Sequence, residues 1–124
     1  MLDTNAVLRF IDDDNVDKST KVSDLINTTD CIVSIEVIAE VVYNLEKHYE
    51  YSRQFVAEKI KDFISIKENL VFEENVVRYG CNIYATTRLD FIDCLLLGYA
   101  KVNGNHVFTF DNELKKRLEH KAYS

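Results

Sequence analysis

Residues 90–114 read DFIDCLLLGYAKVNGNHVFTFDNEL, and this stretch decides the fold class. Asp90 stands as an N-cap before the apolar run Phe91 to Leu97. Asp93 follows it by three residues, the spacing of a capping box with Asp in place of Glu. Asn103-Gly104-Asn105 then interrupts the helical pattern. The segment HVFTF, 106–110, reads as a strand ending at Asp111, and Asn112 to His120 reads as a final helix. Helix, strand and helix in that order form one step of a parallel α/β alternation.

Working outward, the same alternation extends to the start of the chain. Leu2 opens a very short apolar run that ends at Asp3, and Asn5 to Ile11 reads as a short helix. Val16, Val22, Leu25 and Ile26 recur at near-helical spacing, predicting an amphipathic helix over 16–26. Cys31-Ile32-Val33 is strand-like. Ser34 then caps a helix that reaches about His48 and carries Val37, Ile38, Val41, Val42 and Leu45. Ser52 opens another, with Phe55, Val56, Ile60, Phe63 and Ile64 as its buried stripe. Leu70-Val71-Phe72 is a strand, and Glu74 to Thr86 a helix. Right-handed crossovers put such helices on both faces of a sheet. The expectation is one domain, 1–124, of three layers α/β/α, with a central parallel sheet of four or five strands and the Asp3 strand in its middle.

Composition narrows the function classes. A chain of 124 residues, 47% apolar and 29% charged, can bury a core without metal or disulfide staples. The net charge of −6 excludes a protein that coats DNA through clustered Lys and Arg. It leaves open a nucleic-acid enzyme whose acidic residues hold a divalent ion. Three widely spaced cysteines (Cys31, Cys81, Cys94) and three scattered histidines give no zinc-site spacing. They read as free thiols of a reducing, cytoplasmic environment. No apolar run approaches membrane-spanning length.

In a doubly wound sheet, ligands bind beyond the carboxyl ends of the strands. Asp3 and Asp111 each close a predicted strand, the Ser34 helix offers Glu36 or Glu40, and the helix after Asp90 offers Asp93. Carboxylates brought together this way repel one another unless cations or protons compensate. Hard oxygen donors suit Mg²⁺ or Mn²⁺, which keep waters for substrate phosphates.

Four pieces carry a resemblance: LDTN at 2–5, SIEVIAEVVYNL at 34–45, DFIDCLLLGYA at 90–100 and TFDNEL at 109–114. In their order and spacing the chain resembles the PIN-domain ribonucleases, of the kind found as VapC toxins in toxin–antitoxin pairs. The resemblance implies a Mg²⁺- or Mn²⁺-dependent endoribonuclease with Asp3, Glu40, Asp93 and Asp111 as the catalytic, metal-holding quartet. Thr4, Asn5, Asp90 and Thr109 would then be supporting residues. It also implies an RNA substrate, a cognate antitoxin as partner, and a homodimer for which Tyr43, Tyr49 and Tyr51 are interface candidates. Cys94 and Gly98 stand where the family usually has small Ala-like residues. Only Met1 and Leu2 precede Asp3, where members carry several more, so either the natural chain begins upstream or its first strand is clipped.

Each acid also has a plainer reading. Asp3 and Asp111 suit helix N-caps, Asp93 suits an N3 capping position, and Glu36 a first-turn charge favoured by the helix dipole. Glu40, flanked by Ile38, Ala39, Val41 and Val42, is the acid whose sequence neighbours argue most for function, because an unpaired carboxylate among apolar groups is costly. An aspartyl-nucleophile phosphatase needs Asp-x-Asp, and Asn5 excludes it. The non-enzymatic alternative is a catalytically inactive PIN-like module that binds RNA or protein. Metal-dependent cleavage abolished by EDTA separates the two.

Overall fold

A computed structural model describes residues 1–12, 32–65 and 71–119. They form six helices: α1 Thr4–Asp12, α2 Ile35–Lys47, α3 Arg53–Ile64, α4 Glu74–Thr86, α5 Phe91–Asn103 and α6 Asn112–Glu119. Each begins within a residue or two of the position its sequence predicts. Ser34 and Ser52 cap α2 and α3, their hydroxyls accepting from the N–H groups of Val37 (3.3 Å) and Phe55 (3.1 Å). Gly104 ends α5 at φ +71°, a conformation that glycine adopts without strain. The predicted helix over 16–26, Cys31 and Leu70 lie outside the described residues.

The buried positions follow helical periods. On α2 they are Ile38, Val41, Val42 and Leu45, and on α3 Val56, Ala57, Ile60, Phe63 and Ile64. On α4 they are Val76, Val77, Gly80, Cys81 and Tyr84, and on α5 Phe91, Cys94, Leu95, Leu97 and Gly98. The spacings i, i+3, i+4 and i+7 align each set as one stripe toward a shared core. The most extensive interhelical packing joins α4 to α5. There Gly98 lets the helices approach so closely that a Cβ would lie 2.7 Å from the Val76 carbonyl oxygen.

The expected three-layer fold with a central parallel sheet of four or five strands is not what the structure contains. Among the described residues there is no sheet, only an isolated parallel bridge between Val33 and Val71. Two further bonds flank it: Leu2 N–H donates to Ile32 O (3.0 Å), and Phe72 N–H donates to Val33 O (3.3 Å). Segments 1–3, 32–34 and 71–72 therefore lie side by side, each sending one apolar residue (Leu2, Val33, Val71) into the core. The physical reason is length. A strand of average size has about five or six residues, and these runs are too short to close a ladder.

Segment 106–110 fails differently. It is extended, but forms no backbone hydrogen bond among the described residues. Its alternation is real and inverted: Val107 and Thr109 are half-buried, while Phe108 (85%) and Phe110 (83%) stand in solvent, edge to face 5.2 Å apart. A strand pattern specifies a pleat, and a ladder needs a neighbour as well.

The close approach of α4 and α5 sets an expectation. Gly98→Ala places its methyl against helix backbone, which cannot swing aside as a side chain does, and overpacking of this kind costs about 1–3 kcal/mol. Urea denaturation is expected to show that loss. Wild-type stability in the variant would mean the helices separate freely.

Candidate active site

The sequence-predicted acids are helix-terminal or helix-surface residues, and the structure sorts them into two groups. In the first, Asp3 precedes α1 and its Oδ1 accepts from Ala6 N–H (2.9 Å), so its N-cap reading holds. Beside it, the Thr4 hydroxyl donates to Glu40 Oε2 (3.0 Å), which ties the start of α1 to the middle of α2. Glu40 is exposed, contrary to the expectation drawn from its apolar neighbours in sequence. Those neighbours point elsewhere: Ile38, Val41 and Val42 are buried in the core while residue 40 lies on the solvent side of the same turn. Asn5 is exposed beside Asp3.

In the second group, Asp93 lies in the first turn of α5 and is half-buried. Burial first, then the charges of Asp90 and Asp111, raise its carboxyl above the ordinary carboxylate range. That effect links Asp93 electrostatically to an acid in its own turn and to one on a separate stretch of chain. Asp111 Oδ1 accepts from Leu114 N–H (2.8 Å), capping α6, and Asp111 N–H donates to Thr109 Oγ1 (3.1 Å). Asp90 occupies the N-cap of α5 with no side-chain capping bond, so the anticipated capping box does not form. Among the described residues no three carboxylates, imidazoles or thiols are grouped closely enough to hold a metal ion between them. The acids stand as two partial sets.

A family model of the PIN domain matches residues 1–118. The chain belongs to the PIN-domain family. No curated protein and no solved structure matches the sequence. PIN domains are generally nucleases, hydrolases that typically use divalent metals. No described helix of this PIN domain is long and apolar enough to cross a membrane.

What positions Asp90 and Asp93 is a residue that sequence reading passed over. Arg53 donates through Nε to Tyr84 O (2.9 Å) and through Nη1 to Glu46 Oε1 (3.0 Å). Its Nη2 donates to Leu89 O, the carbonyl immediately before Asp90. The guanidinium also lies 3.7 Å over the Tyr84 ring. The Tyr84 ring in turn meets Phe91 edge to face at 5.6 Å. One signal was available in the sequence. Arg53 is a cation in the first turn of a helix, where the dipole disfavours positive charge. A tertiary partner must make up that deficit.

Tyr84 is fully buried, and its hydroxyl has no hydrogen-bond partner among the described residues. Burial and then the neighbouring Glu46 carboxylate push its phenol well above the ordinary value. Burial likewise raises the Cys94 thiol, to about 11, and the Cys81 thiol, to about 12, so neither is a ready nucleophile or metal ligand at neutral pH.

Two measurements follow. Arg53→Lys keeps the charge but cannot reach three acceptors and stack at once, so a loss of about 2–3 kcal/mol in folding stability is expected. Unchanged stability would show the clamp to be ornamental. The raised carboxyl of Asp93 means that folding favours its neutral form. Its contribution is therefore present below the unfolded value of about 4 and lost as pH rises through the raised value. In metal-free buffer at neutral pH, Asp93→Asn is expected to melt above the wild type, with the gap closing toward pH 3. A variant that melts lower at neutral pH contradicts the crowding.

Proposed function

We propose that this PIN domain is a divalent-metal-dependent endoribonuclease that hydrolyses RNA phosphodiester bonds, with Asp3, Glu40, Asp93 and Asp111 as its catalytic acids. The observation that carries the reading is Asp93. Its carboxyl is raised by burial first and then by two acids, Asp90 in the same turn and Asp111 on another stretch of chain. Mutual repulsion of this kind is relieved by a cation. The donor set is carboxylate oxygen throughout, which fits Mg²⁺ or Mn²⁺, ions held by few protein ligands with waters in the remaining positions. Asp93 and Asp111 would hold it, with Asp3 and Glu40 completing the site from the α1–α2 side. When bound, such an ion activates water and offsets charge on the scissile phosphate.

The chain's own residues supply the rest. The Thr4 hydroxyl fixes one Glu40 oxygen, leaving the other free to turn toward the site. Because Asp90 makes no side-chain cap, the first-turn N–H groups of α5 remain available to a phosphate oxygen. Arg53, through the Leu89 carbonyl, holds the loop that delivers both Asp90 and Asp93. Thr109 orients the backbone that presents Asp111.

Cleavage of a mixed RNA pool in Mn²⁺ is expected, with none in EDTA. Asp3→Asn and Asp93→Asn each keep shape and remove charge, and each is expected to lower the rate on the order of 10²–10⁴-fold. Wild-type activity in either variant overturns the quartet.

We further propose a toxin role, with an antitoxin that covers the acidic site and a homodimer. A net charge of −6 supports an Arg- or Lys-bearing inhibitory tail. Expression of the chain alone is expected to arrest growth, and co-expression of the product of the adjacent reading frame to restore it. Harmless expression with undiminished nuclease activity would remove the toxin role and leave the enzyme.

A further inference from the structure

A cavity of about 440 Å³ opens between α2 and the start of α5, directly beside the Asp90–Asp93 turn. That volume lies within the range of small-molecule sites, about 300–1,000 Å³. Val42 and Phe91 supply apolar wall, and Tyr43, more than half exposed, stands as an aromatic face. Its polar lining is mainly acidic, with Glu46, Asp90 and Asp93 and, among the described residues, the single cation Lys47. Tyr84 contributes a hydroxyl that is buried and unpartnered among the described residues, inside a residue only 1% exposed. Glu46 contributes a carboxylate whose Oε1 accepts from Arg53, whose Oε2 lies 3.8 Å from Lys47, and which also acts on the neighbouring Tyr84 hydroxyl.

A slot with an apolar wall, an aromatic face, a buried hydroxyl and three carboxylates matches a flat heterocycle bearing N–H donors on one edge. Resting on the ribonuclease reading, we infer that this cavity is a nucleobase subsite, which receives one unstacked base of the RNA next to the bond that is cut. Single-stranded RNA is recognised in this way, by bases splayed onto aromatic side chains and hydrogen-bonded along their edges. Guanine fits best. Its N1–H and N2–H₂ are adjacent donors for the Glu46 carboxylate, and its O6 accepts from the Tyr84 hydroxyl. Tyr43 stacks on its face. Lys47, at the rim, lies where the neighbouring phosphate would pass. An orphaned buried hydroxyl is costly to keep, and a base edge is the partner that would satisfy it.

Binding and cleavage test this separately. The full chain in EDTA is titrated with GMP, AMP, CMP and UMP while backbone amide NMR shifts are followed. GMP is expected to bind about tenfold more tightly than UMP, moving the amides of Tyr43, Tyr84 and Ile92. Tyr84→Phe conserves the ring and removes only the hydroxyl, so it is expected to erase that preference. Tyr43→Ala is expected to weaken all four ligands. Sequencing of products cut from a random RNA pool is expected to show guanine enriched at one position relative to the cut, with the enrichment lost in Tyr84→Phe. Cleavage without base preference, together with no shift at the cavity, overturns the subsite and leaves the nuclease standing. Preferential GMP binding abolished by Tyr84→Phe, with no cleavage in Mn²⁺, supports the subsite and sinks the nuclease. If the cavity amides respond to a peptide and to none of the nucleotides, its occupant is protein and the inference falls.

Discussion

The Arg53 guanidinium is the interaction on which the arrangement around the acids depends. It gathers a carboxylate from α2, a carbonyl from the end of α4, and the carbonyl of Leu89 that leads into α5. Three elements distant in sequence are thus fixed about one planar cation, and the Tyr84 ring beneath it removes one face from water. Only arginine has the fork of donors for this, because a lysine ammonium is a point charge on a flexible stem. The clamp also holds the carbonyl immediately before the Asp90 turn.

The site that results is strained by its own charge. Helix termini are economical places to put carboxylates, because the orphan N–H groups stabilise them one at a time. Asp3 and Asp111 use that support, each accepting from the backbone N–H three residues on. Asp93 has no such bond among the described residues and is half-buried, and it feels the charges of Asp90 and Asp111. Two acids held at rest and one destabilised is an arrangement that a cation would relieve. The same corner contains the buried Tyr84 hydroxyl, also without a partner. Asp93 and Tyr84 both line the cavity between α2 and α5.

What was legible in the sequence was local. The serine caps, the apolar stripes of α2 to α5 and the glycine stop at residue 104 are each decided within a turn or two of chain, by periodicity and by capping chemistry. The family resemblance was likewise legible, and a PIN-domain model matches residues 1–118. Strand pairing was not legible. HVFTF has the alternation of a strand, yet whether it joins a ladder depends on a neighbour lying alongside, and no residue within the segment encodes that. The burial of Glu40 was misjudged for a related reason: adjacent residues on a helix point a hundred degrees apart.

By itself, then, the sequence determined where helices start and stop and which faces are apolar, and it pointed to the PIN-domain family, since all of these rest on short windows read in order. Tertiary structure alone decided that Arg53 binds Leu89 and Glu46, that Thr4 meets Glu40, that Asp93 feels Asp111, and that Gly98 sits against the Val76 carbonyl. These are contacts between groups on different elements, separated by 7 to 36 positions, where the chain's path through space, rather than its local propensity, sets the distance.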